Sequence, residues 1–454
     1  MITTEDVVRA TGGVLLNGDM RIAFRRVCQD SRQIRPGDLF VALKGPRFDG
    51  HDFVLAAIEA GAKGALVEYW PENINIFELH RAISIVRVPD TLKALGDLAA
   101  YHRRRLKGRV VGITGSCGKS TTKEFLTTLL GKHKAYGNPG NWNNLIGAPL
   151  SLLNAPDEAS FLVLELATNR PGEIPRLAEI VRPEIAILLG VRPAHLAGFS
   201  SFEELLGEKL SLLTQTPGPW VYPFGQEEIR AWVEREAGDR PTRSFGLEEG
   251  ADFAARRIEI TLEGTRFELV VGNEVFPLRL PLLGRHFVLD FLAALAAASF
   301  LVEDWRPLLA SVEQLKTLPR RLELKKGPGF VILDDTYNAN PASLTAGKEV
   351  VEALKPGFQR ALAVLGDMKE LGPESRRFHQ LAGAEAAQVF DEIWAVGEEA
   401  QALAEAAGSK GRFFASKEAL LEQLRQELKP GDLLYVKGSR AMALEELVDA
   451  LLGG

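Results

Sequence analysis

A glycine-rich segment is the strongest chemical signal in the sequence. It reads Gly115-Ser-Cys-Gly-Lys-Ser120 and lies between a buried-strand pattern and a helical pattern. In such a turn the backbone N–H groups approach phosphate oxygens, and the helix N-terminus adds partial positive charge. Lys119 would reach the β- and γ-phosphates, and the Ser120 hydroxyl would bind Mg²⁺. The usual phosphate-loop pattern has glycine five residues before the Gly-Lys pair. Ile113 occupies that position here, so the segment matches a shorter form of the pattern.

Two acidic residues follow strand patterns and are further candidates for chemistry. Glu165 ends an apolar run, and Asp335 directly follows the strand-like run 330–334 in a polar turn that reaches Pro341. The carboxyl ends of parallel strands face the ligand crevice of an open α/β sheet. Glu165 could therefore join Ser120 on a Mg²⁺ ion that bridges ATP phosphates. On spacing alone, an ordinary strand-end acid and a plain Asn-Pro turn explain these residues equally well.

The elements that must position these residues fall into three blocks. A chain of 454 residues is long enough for about three domains. Strand patterns alternate with helical patterns in each block, which predicts the α/β class with open parallel sheets. We expect a small N-terminal α/β domain over residues 1–86, a central doubly wound phosphate-loop domain over 87–316, and a C-terminal Rossmann-like domain over 317–454.

Composition limits the function further. The net charge of −6 provides no global basic field for nucleic acid or an anionic membrane. Cys28 and Cys117 are the only cysteines, so a reducing compartment is favoured over a disulfide framework. The first residues lack the pattern of a signal peptide, and the most apolar stretch, 291–302, is too short to span a bilayer. We therefore expect a cytoplasmic protein without membrane insertion and without a nucleic-acid partner.

The segment from Thr114 to Glu124 resembles the phosphate loop of the Mur ligase family, and its Thr-Thr-Lys-Glu ending resembles the MurF branch. The resemblance extends through the whole chain. The other matching segments are Glu-Leu-Ala-Thr-Asn169, Ala-His195-Leu-Ala-Gly-Phe199, Asp334-Asp-Thr-Tyr-Asn-Ala-Asn-Pro341, Leu365-Gly-Asp-Met-Lys-Glu-Leu-Gly372 and Val436-Lys-Gly-Ser-Arg440. The family's Asn-x-x-Asn motif near the adenosine is replaced here by Phe287 and Asp290.

The resemblance implies an ATP site with two Mg²⁺ ions. The residues that it assigns to ATP are Gly115, Ser116, Cys117, Gly118, Lys119, Ser120, Thr121, Arg321, Asp335 and Asn338. It assigns catalytic roles to Lys119, Glu165, His195 and Lys209, and metal binding to Ser120 and the last three. Lys209 aligns with the lysine that Mur ligases carbamylate, and a carbamate is an anion that could help to hold the second metal. Taken alone, His195 and Lys209 are an ordinary loop histidine and an ordinary helix lysine.

The resemblance also implies a substrate surface. The residues that it assigns there are Ser31, Arg32, Lys44, Asn141, Asn143, Asn144, Asn340, Lys437, Ser439 and Arg440. The implied reaction is ATP-dependent: D-alanyl-D-alanine is added to UDP-N-acetylmuramoyl-tripeptide through an acyl phosphate, in peptidoglycan precursor synthesis. The implied oligomeric state is a monomer. The third residue of the peptide, diaminopimelate or lysine, stays open.

Three alternatives remain beside this interpretation. The first is another ligase of the superfamily, either the tripeptide-forming Mur enzyme or folylpolyglutamate synthetase. The Asp-Asn-Pro-Arg motif of the former is absent, and Tyr337-Asn-Ala-Asn-Pro341 occupies the comparable region. The second is a nucleotide-dependent switch, which the absence of an Asn-Lys-x-Asp guanine motif weakens. The third is an inactive relative that only binds a partner.

Overall fold

The computed structural model describes residues 1–70, 75–76, 79–131, 134–192, 198–316, 318–369 and 371–453. The chain forms two compact units. The first unit comprises Met1–Thr114, Leu130–Leu188 and Gly207–Trp220, and the second comprises Gly115–Leu129, Leu189–Leu206 and Val221–Gly454. The predicted α/β class is confirmed by parallel sheets that alternate with helices. The predicted boundaries of three domains stay a prediction.

The amino-terminal part of the first unit contains a five-stranded sheet. The elements there are β1 (Ile2–Thr3), α1 (Thr4–Thr11), β2 (Val14–Asn17), β3 (Ala23–Phe24), β4 (Val27–Cys28), β5 (Leu39–Val41), α2 (Val54–Glu59), β6 (Gly64–Val67) and β7 (Ser84–Arg87). The sheet order is β2-β7-β6-β5-β4, with β2 antiparallel at one edge and the other strands parallel. Phe40, Val54 and Ile85 form part of its apolar core.

Alternating helices and strands make up the middle of the chain. They are α3 (Thr91–Arg103), β8 (Arg109–Thr114), α4 (Lys119–Leu130), β9 (Ala135–Gly137), α5 (Gly147–Leu153), β10 (Phe161–Glu165), α6 (Glu173–Val181), β11 (Ile185–Leu188), α7 (Phe202–Thr214), β12 (Trp220–Pro223), α8 (Glu227–Glu236), β13 (Thr242–Gly246), β14 (Phe253–Thr261), β15 (Gly264–Val271), β16 (Glu274–Leu280) and α9 (Arg285–Ala298). In the first unit, β9, β10, β8 and β11 lie side by side in that order and are all parallel. The chain therefore leaves β8 at a topological switch point, where ligand crevices form.

The strands that precede α9 in the second unit differ from the alternating pattern that the sequence predicts. β14, β15 and β16 form an antiparallel meander, and β14 pairs in parallel with β13. The turn between β15 and β16 contains Gly272, whose φ is +58°. Helix α9 packs against β13 and β14. Its side chains are almost all buried, which explains the apolar stretch that the sequence shows at 291–302.

The carboxyl-terminal part of the second unit is an open α/β sheet, as the sequence predicts. Its elements are β17 (Glu323–Lys326), β18 (Val331–Asp335), α10 (Pro341–Leu354), β19 (Arg360–Gly366), α11 (Ser375–Val389), β20 (Glu392–Val396), α12 (Ala400–Ala406), β21 (Gly411–Phe414), α13 (Lys417–Glu427), β22 (Asp432–Lys437) and α14 (Glu445–Leu452). The sheet order is β17-β18-β22-β19-β20-β21, with only β17 antiparallel among these described strands. Within the described ranges, no helix has both the length and the apolar character to cross a membrane.

Candidate active site

The glycine-rich loop connects β8 to α4, in the strand–turn–helix arrangement that the sequence predicts. Gly115 has a φ of +154° and Gly118 a φ of +83°, in the region that favours glycine. A Cβ atom on Gly115 would lie 2.5 Å from Leu189 Cβ, and one on Gly118 would lie 2.1 Å from an Asp290 carboxylate oxygen. Both positions therefore require glycine, for backbone geometry and for space.

Backbone contacts fix the loop in place. The Ser116 N–H donates to the Gly190 carbonyl oxygen at 3.0 Å, and the Ser116 hydroxyl accepts from the Arg192 N–H at 3.0 Å. Lys119 is the first residue of α4, and its Nζ donates to the Gly115 carbonyl oxygen at 2.9 Å. The ammonium group therefore lies across the loop at a helix N-terminus, where a phosphate would be attracted. Cys117 is exposed on this loop.

Arg321 contacts Thr121, which lies in the first turn of α4 directly after the glycine-rich loop. Its guanidinium carbon lies 4.3 Å from the centroid of the Tyr337 ring, and one terminal nitrogen donates to the Thr121 hydroxyl at 3.4 Å. The Arg321 Nε is buried and has no hydrogen-bond partner within the described part of the chain. A buried donor without a partner is costly, so the arginine is arranged to receive an acceptor from outside the chain. A phosphate oxygen is such an acceptor.

Asp290 is a residue of this region to which the sequence analysis gives no role. It lies in α9, is 8% exposed, and its carboxyl group faces Gly118 of the loop. Burial raises the pKa of Asp290 from 3.8 to about 8, although the nearby Arg321 opposes the shift. The neutral acid is therefore the prevailing form at neutral pH. The sequence has aspartate at this position where the resembled family has asparagine, and this difference was the signal that could have indicated a role for Asp290.

Glu165 lies at the carboxyl end of β10, and its Cα is paired with that of Ile113 in β8. The side chain is 2% exposed, and Oε1 accepts from the Asn143 amide at 2.7 Å. Asn138 holds the backbone on both sides: its amide donates to the Glu165 carbonyl at 3.0 Å and accepts from the Glu165 N–H at 2.9 Å. The structure therefore brings the predicted residues Glu165 and Asn143 together, and adds Asn138, which sequence reasoning missed.

The two other predicted asparagines of this loop have different environments. The Asn144 side-chain oxygen accepts from the Ile146 and Gly147 N–H groups at 3.1 and 2.9 Å, which caps the start of α5. Asn141 is exposed. The local hydrogen bonds of Asn144 give it a structural role at the helix start, and its predicted role in substrate binding stays a prediction.

Lys209 lies on α7 and is 5% exposed. Its neighbour Glu208, which sequence reasoning missed, accepts from the Gly172 and Ile174 N–H groups at 2.8 and 2.7 Å and so holds the start of α6. His195 falls outside the described residues. The predicted metal role of Lys209 and His195 stays a prediction.

The Glu165 carboxylate, in the first unit, is an oxygen donor of the type that Mg²⁺ prefers, and so is the Ser120 hydroxyl, in the second unit. Mg²⁺ usually binds one or two such protein oxygens and completes its shell with water and substrate phosphates. Among the described residues there is no group of three or more His, Cys, Asp and Glu side chains placed for a metal. A site that depends on ATP oxygens needs no such group.

A second buried cluster lies at the carboxyl ends of β18 and β22. Lys437 Nζ donates to Asp335 Oδ2 at 2.6 Å and to the Asn338 carbonyl at 2.9 Å. The Tyr435 hydroxyl donates to the same Asp335 oxygen at 2.9 Å. Lys437 and Asp335 are 2% and 7% exposed. Burial raises the pKa of Asp335, and the charge of Lys437 opposes that shift.

The remaining predicted residues of the carboxyl-terminal part are held by local contacts. The Asn340 side chain accepts from the Ser343 N–H at 2.8 Å and caps α10. The Ser439 hydroxyl accepts from the Lys369 N–H at 2.7 Å. Arg440 forms an ion pair with Glu445 at 2.6 Å, and its side chain is 61% exposed. Their predicted roles in substrate binding stay predictions.

The predicted UDP-sugar residues lie just after the carboxyl ends of two neighbouring strands of the amino-terminal sheet. Ser31 and Arg32 follow β4, and Lys44 follows β5, which is parallel to β4. Arg32 Nε donates to Asp30 at 2.9 Å, and this arginine side chain is 86% exposed. Lys44 is also exposed. Two exposed cations at the carboxyl ends of neighbouring parallel strands are well placed for an anionic ligand.

This geometry defines the class of protein. A phosphate loop at the switch point of a parallel sheet, followed directly by a helix N-terminus, is the binding site of a nucleotide-dependent α/β protein. Three family models match the chain: Mur ligase family, catalytic domain at residues 24–103; Mur ligase middle domain at 113–298; and Mur ligase, glutamate ligase domain at 320–440.

Individual relatives refine that match. The chain is 36% identical over 448 residues to "UDP-N-acetylmuramoyl-tripeptide--D-alanyl-D-alanine ligase" of Escherichia coli, with 96% of each chain covered. A crystal structure of MurF from Acinetobacter baumannii is 32% identical, has a TM-score of 0.90, and covers 100% of this chain and 99% of its own. MurF of Thermotoga maritima in complex with ADP is 32% identical, with a TM-score of 0.82 and coverages of 94% and 97%.

The chain belongs to the Mur ligase family, and within it to the MurF-type ligases. The resemblance that the sequence motifs indicated is therefore confirmed along the whole chain.

Proposed function

We propose that this chain is an ATP-dependent amide-bond ligase that adds D-alanyl-D-alanine to UDP-N-acetylmuramoyl-tripeptide in peptidoglycan precursor synthesis. The observation that supports this proposal most is the similarity to a relative whose name states this activity. The two chains are 36% identical, and the match covers 96% of each of them. The conformation of the phosphate loop supports the ATP-dependent part, because both of its glycines have positive φ and no room for a side chain.

The reaction needs an activated acyl group, because a carboxylate is a poor acylating agent. The γ-phosphate of ATP moves to the terminal carboxylate of the tripeptide and forms an acyl phosphate. The amine of the dipeptide then attacks the carbonyl carbon, loses a proton, and displaces inorganic phosphate. Two anions must approach each other in the first step, and Lys119 and Arg321 are the cations of the loop region that would offset their charge.

Two Mg²⁺ ions are part of the proposal. Ser120 and Glu165 would hold the first, and His195 and a carbamylated Lys209 would hold the second. Bound metal would supply charge neutralisation at the phosphates. Lys209 is only 5% exposed, and this burial supports a role inside the site and not at the surface.

The setting of the reaction is also part of the proposal. The protein acts in the cytoplasm as a monomer, on small-molecule substrates, through the three domains 1–86, 87–316 and 317–454. The first carries the UDP-sugar surface of Ser31, Arg32 and Lys44. The last supplies Asp335 and Asn338 to ATP and Lys437, Ser439 and Arg440 to the substrate side.

Phosphate release tests the function directly. The assay contains ATP, Mg²⁺ and UDP-N-acetylmuramoyl-tripeptide, with D-alanyl-D-alanine added or left out, and the product is identified by mass. Parallel tripeptides with diaminopimelate or lysine as third residue identify the accepted peptide. Release that requires both substrates and gives the pentapeptide is the expected result. Release that ignores the dipeptide would remove the ligase assignment and leave the ATP site in place.

Lys119→Ala tests the phosphate loop within the same assay. We expect kcat/KM to fall by about 10²–10³-fold, because the variant loses a preorganised positive charge at the transferring phosphate. Lys107→Ala is the matched control, since Lys107 is an exposed lysine outside the loop. Full ligation by Lys119→Ala would contradict the assignment of the loop.

A further inference from the structure

A cavity of about 610 Å³ opens in the first unit. Its walls include residues 24–26, which precede β4, and residues 35–38, which precede β5. The predicted UDP-sugar residues Ser31, Arg32 and Lys44 follow these two strands instead. Because β4 and β5 are parallel, their amino ends lie side by side and their carboxyl ends lie side by side. The cavity is therefore at the amino ends of these strands, and the predicted substrate surface is at their carboxyl ends.

Three arginines, Arg25, Arg26 and Arg35, line this cavity. Arg26 forms an ion pair with Asp38 at 2.6 Å, and Asp38 also accepts from the Arg35 N–H at 2.9 Å. The side chains of Arg25 and Arg35 have no ion pair within the described ranges. The stem of Arg25 lies over Gly37, where a Cβ atom would come within 3.2 Å of it, so the backbone makes room for this side chain.

His102 also lines the cavity. The residue is 6% exposed, and its Nδ1 is buried with no hydrogen-bond partner in the part of the chain that the structure describes. Burial lowers the pKa of His102, so the imidazole is neutral at neutral pH and can donate or accept. A buried polar nitrogen without a partner is uncommon in folded proteins and points to a missing ligand or water.

The remaining wall is apolar and the cavity is preformed. Phe24 and Leu153 line it and are almost fully buried. Beside them the Asn154 side chain accepts from the Val27 N–H at 3.0 Å and donates to the Val27 carbonyl at 2.9 Å. This pair of hydrogen bonds ties the 153–157 wall to the start of β4, so both walls are fixed before any ligand arrives.

We propose that this cavity is a binding site for a small organic anion, one that carries a phosphate or carboxylate group on an apolar body. Arg25 and Arg35 bind the anionic group, because a guanidinium presents two parallel donors to such oxygens. His102 meets a polar atom of the ligand at the inner end, and Phe24 and Leu153 contact its apolar part. The volume lies within the usual range of about 300–1,000 Å³ for small-molecule sites. The site is separate from the phosphate loop and does not depend on the proposed function.

Calorimetric titration of the full chain with phenyl phosphate tests the proposal, and benzoate in a parallel titration distinguishes a phosphate site from a carboxylate site. We expect one saturable site for at least one probe. Inorganic phosphate and benzyl alcohol should bind about tenfold more weakly, because each lacks one half of the ligand. No saturable binding of either probe would overturn the proposal.

Variants locate the bound probe. The double variant Arg25→Gln/Arg35→Gln should raise the Kd by at least about tenfold, because charge-assisted contacts are lost. Arg87→Gln is the matched control, an exposed arginine that does not line the cavity. Asp157→Asn should lower the Kd about threefold, since it removes a carboxylate from the lining.

Lys119→Ala separates the cavity from the phosphate loop, and it should keep the Kd of the wild type for the probe. Loss of binding in Lys119→Ala, together with unchanged binding in the double arginine variant, would place the probe at the phosphate loop and overturn the proposal. Ligation by the double arginine variant is measured alongside, so that failure of the cavity proposal leaves the ligase assignment intact.

Discussion

Two strand-end carboxylates, Glu165 and Asp335, occupy matching places in two parallel sheets but have different partners. Glu165 ends β10 and accepts from the Asn143 amide at 2.7 Å. Asp335 ends β18 and accepts from the Lys437 ammonium at 2.6 Å. An amide donor orients a carboxylate and does not cancel its charge, whereas an ammonium forms a neutral pair. The Asn143 contact therefore orients Glu165, whereas the Lys437 contact forms an ion pair with Asp335.

Asp290 shows a third way to place a carboxyl group in the interior. Burial raises the pKa of this group to about 8, so it is accommodated as a neutral acid against the phosphate loop. The three residues together show that position in the sheet or helix does not set the charge of a buried acid. The neighbouring side chains do, because they decide whether the charged form is solvated, paired or suppressed.

Removal of the cation beside Asp335 should have the largest effect. Lys437→Met leaves a buried carboxylate without its charged partner, and we expect the free energy of unfolding to fall by about 3–5 kcal/mol in urea titrations. Lys429→Met, at an exposed lysine, is the control. The double variant Lys437→Met/Asp335→Asn should recover part of the loss. Equal stability of Lys437→Met and wild type would mean that Asp335 is not held as a charged pair.

Glu165→Gln tests whether the negative charge of Glu165 is needed for the proposed reaction. The variant keeps an oxygen for the Asn143 amide, so its unfolding midpoint should stay close to that of the wild type. Its kcat/KM for ligation should fall by about 10²–10³-fold, because the anionic metal ligand is lost. Glu158→Gln, at an exposed acid before β10, should match wild type in both measurements. A Glu165→Gln enzyme with full activity would argue against the metal role.

Asn143→Ala removes the amide and leaves the carboxylate. We expect a loss of about 1–3 kcal/mol in the free energy of unfolding, because the hydrogen bond from the Asn143 amide to a buried Glu165 oxygen is lost. Asn141→Ala is the matched control on the same loop, and its exposed side chain should change stability by less than about 0.5 kcal/mol. If the two alanine variants are equally stable, the 2.7 Å contact contributes nothing measurable.

The neutral state of Asp290 should appear as a modest pH dependence of stability. Its pKa of about 8 in the folded protein lies above the ordinary value of 3.8, so between these values the folded state retains a proton that the unfolded state has lost. The free energy of unfolding therefore falls as pH rises through this window, by about 1 kcal/mol between pH 7 and pH 8. Asp290→Asn should remove that part of the slope, as measured by urea titration of both proteins at each pH. Parallel slopes for the two proteins would contradict the buried neutral acid.

The elements at the centre of the site were predictable because their signals are local. β8 lies at the buried-strand pattern before Gly115, and β10 ends at Glu165 as its apolar run predicts. The loop between β8 and α4 needs glycine where the sequence has Gly115 and Gly118. The strand that carries Asp335 was predicted to within one residue for the same reason. The antiparallel meander of β14 to β16 was not predicted, because these partly exposed strands have neither a continuous apolar run nor a regular alternation of buried and exposed residues.

The sequence by itself determined the phosphate loop, the α/β class and the family, because these depend on residue types at fixed spacing along the chain. Only the tertiary structure decided that Asp290 lies against Gly118, that Asn143 holds Glu165, and that Tyr435 joins Lys437 on Asp335. The same is true of the cavity beside His102. These contacts join residues far apart in the chain, and the charge and protonation of a buried group depend on such neighbours, which spacing along the sequence does not specify.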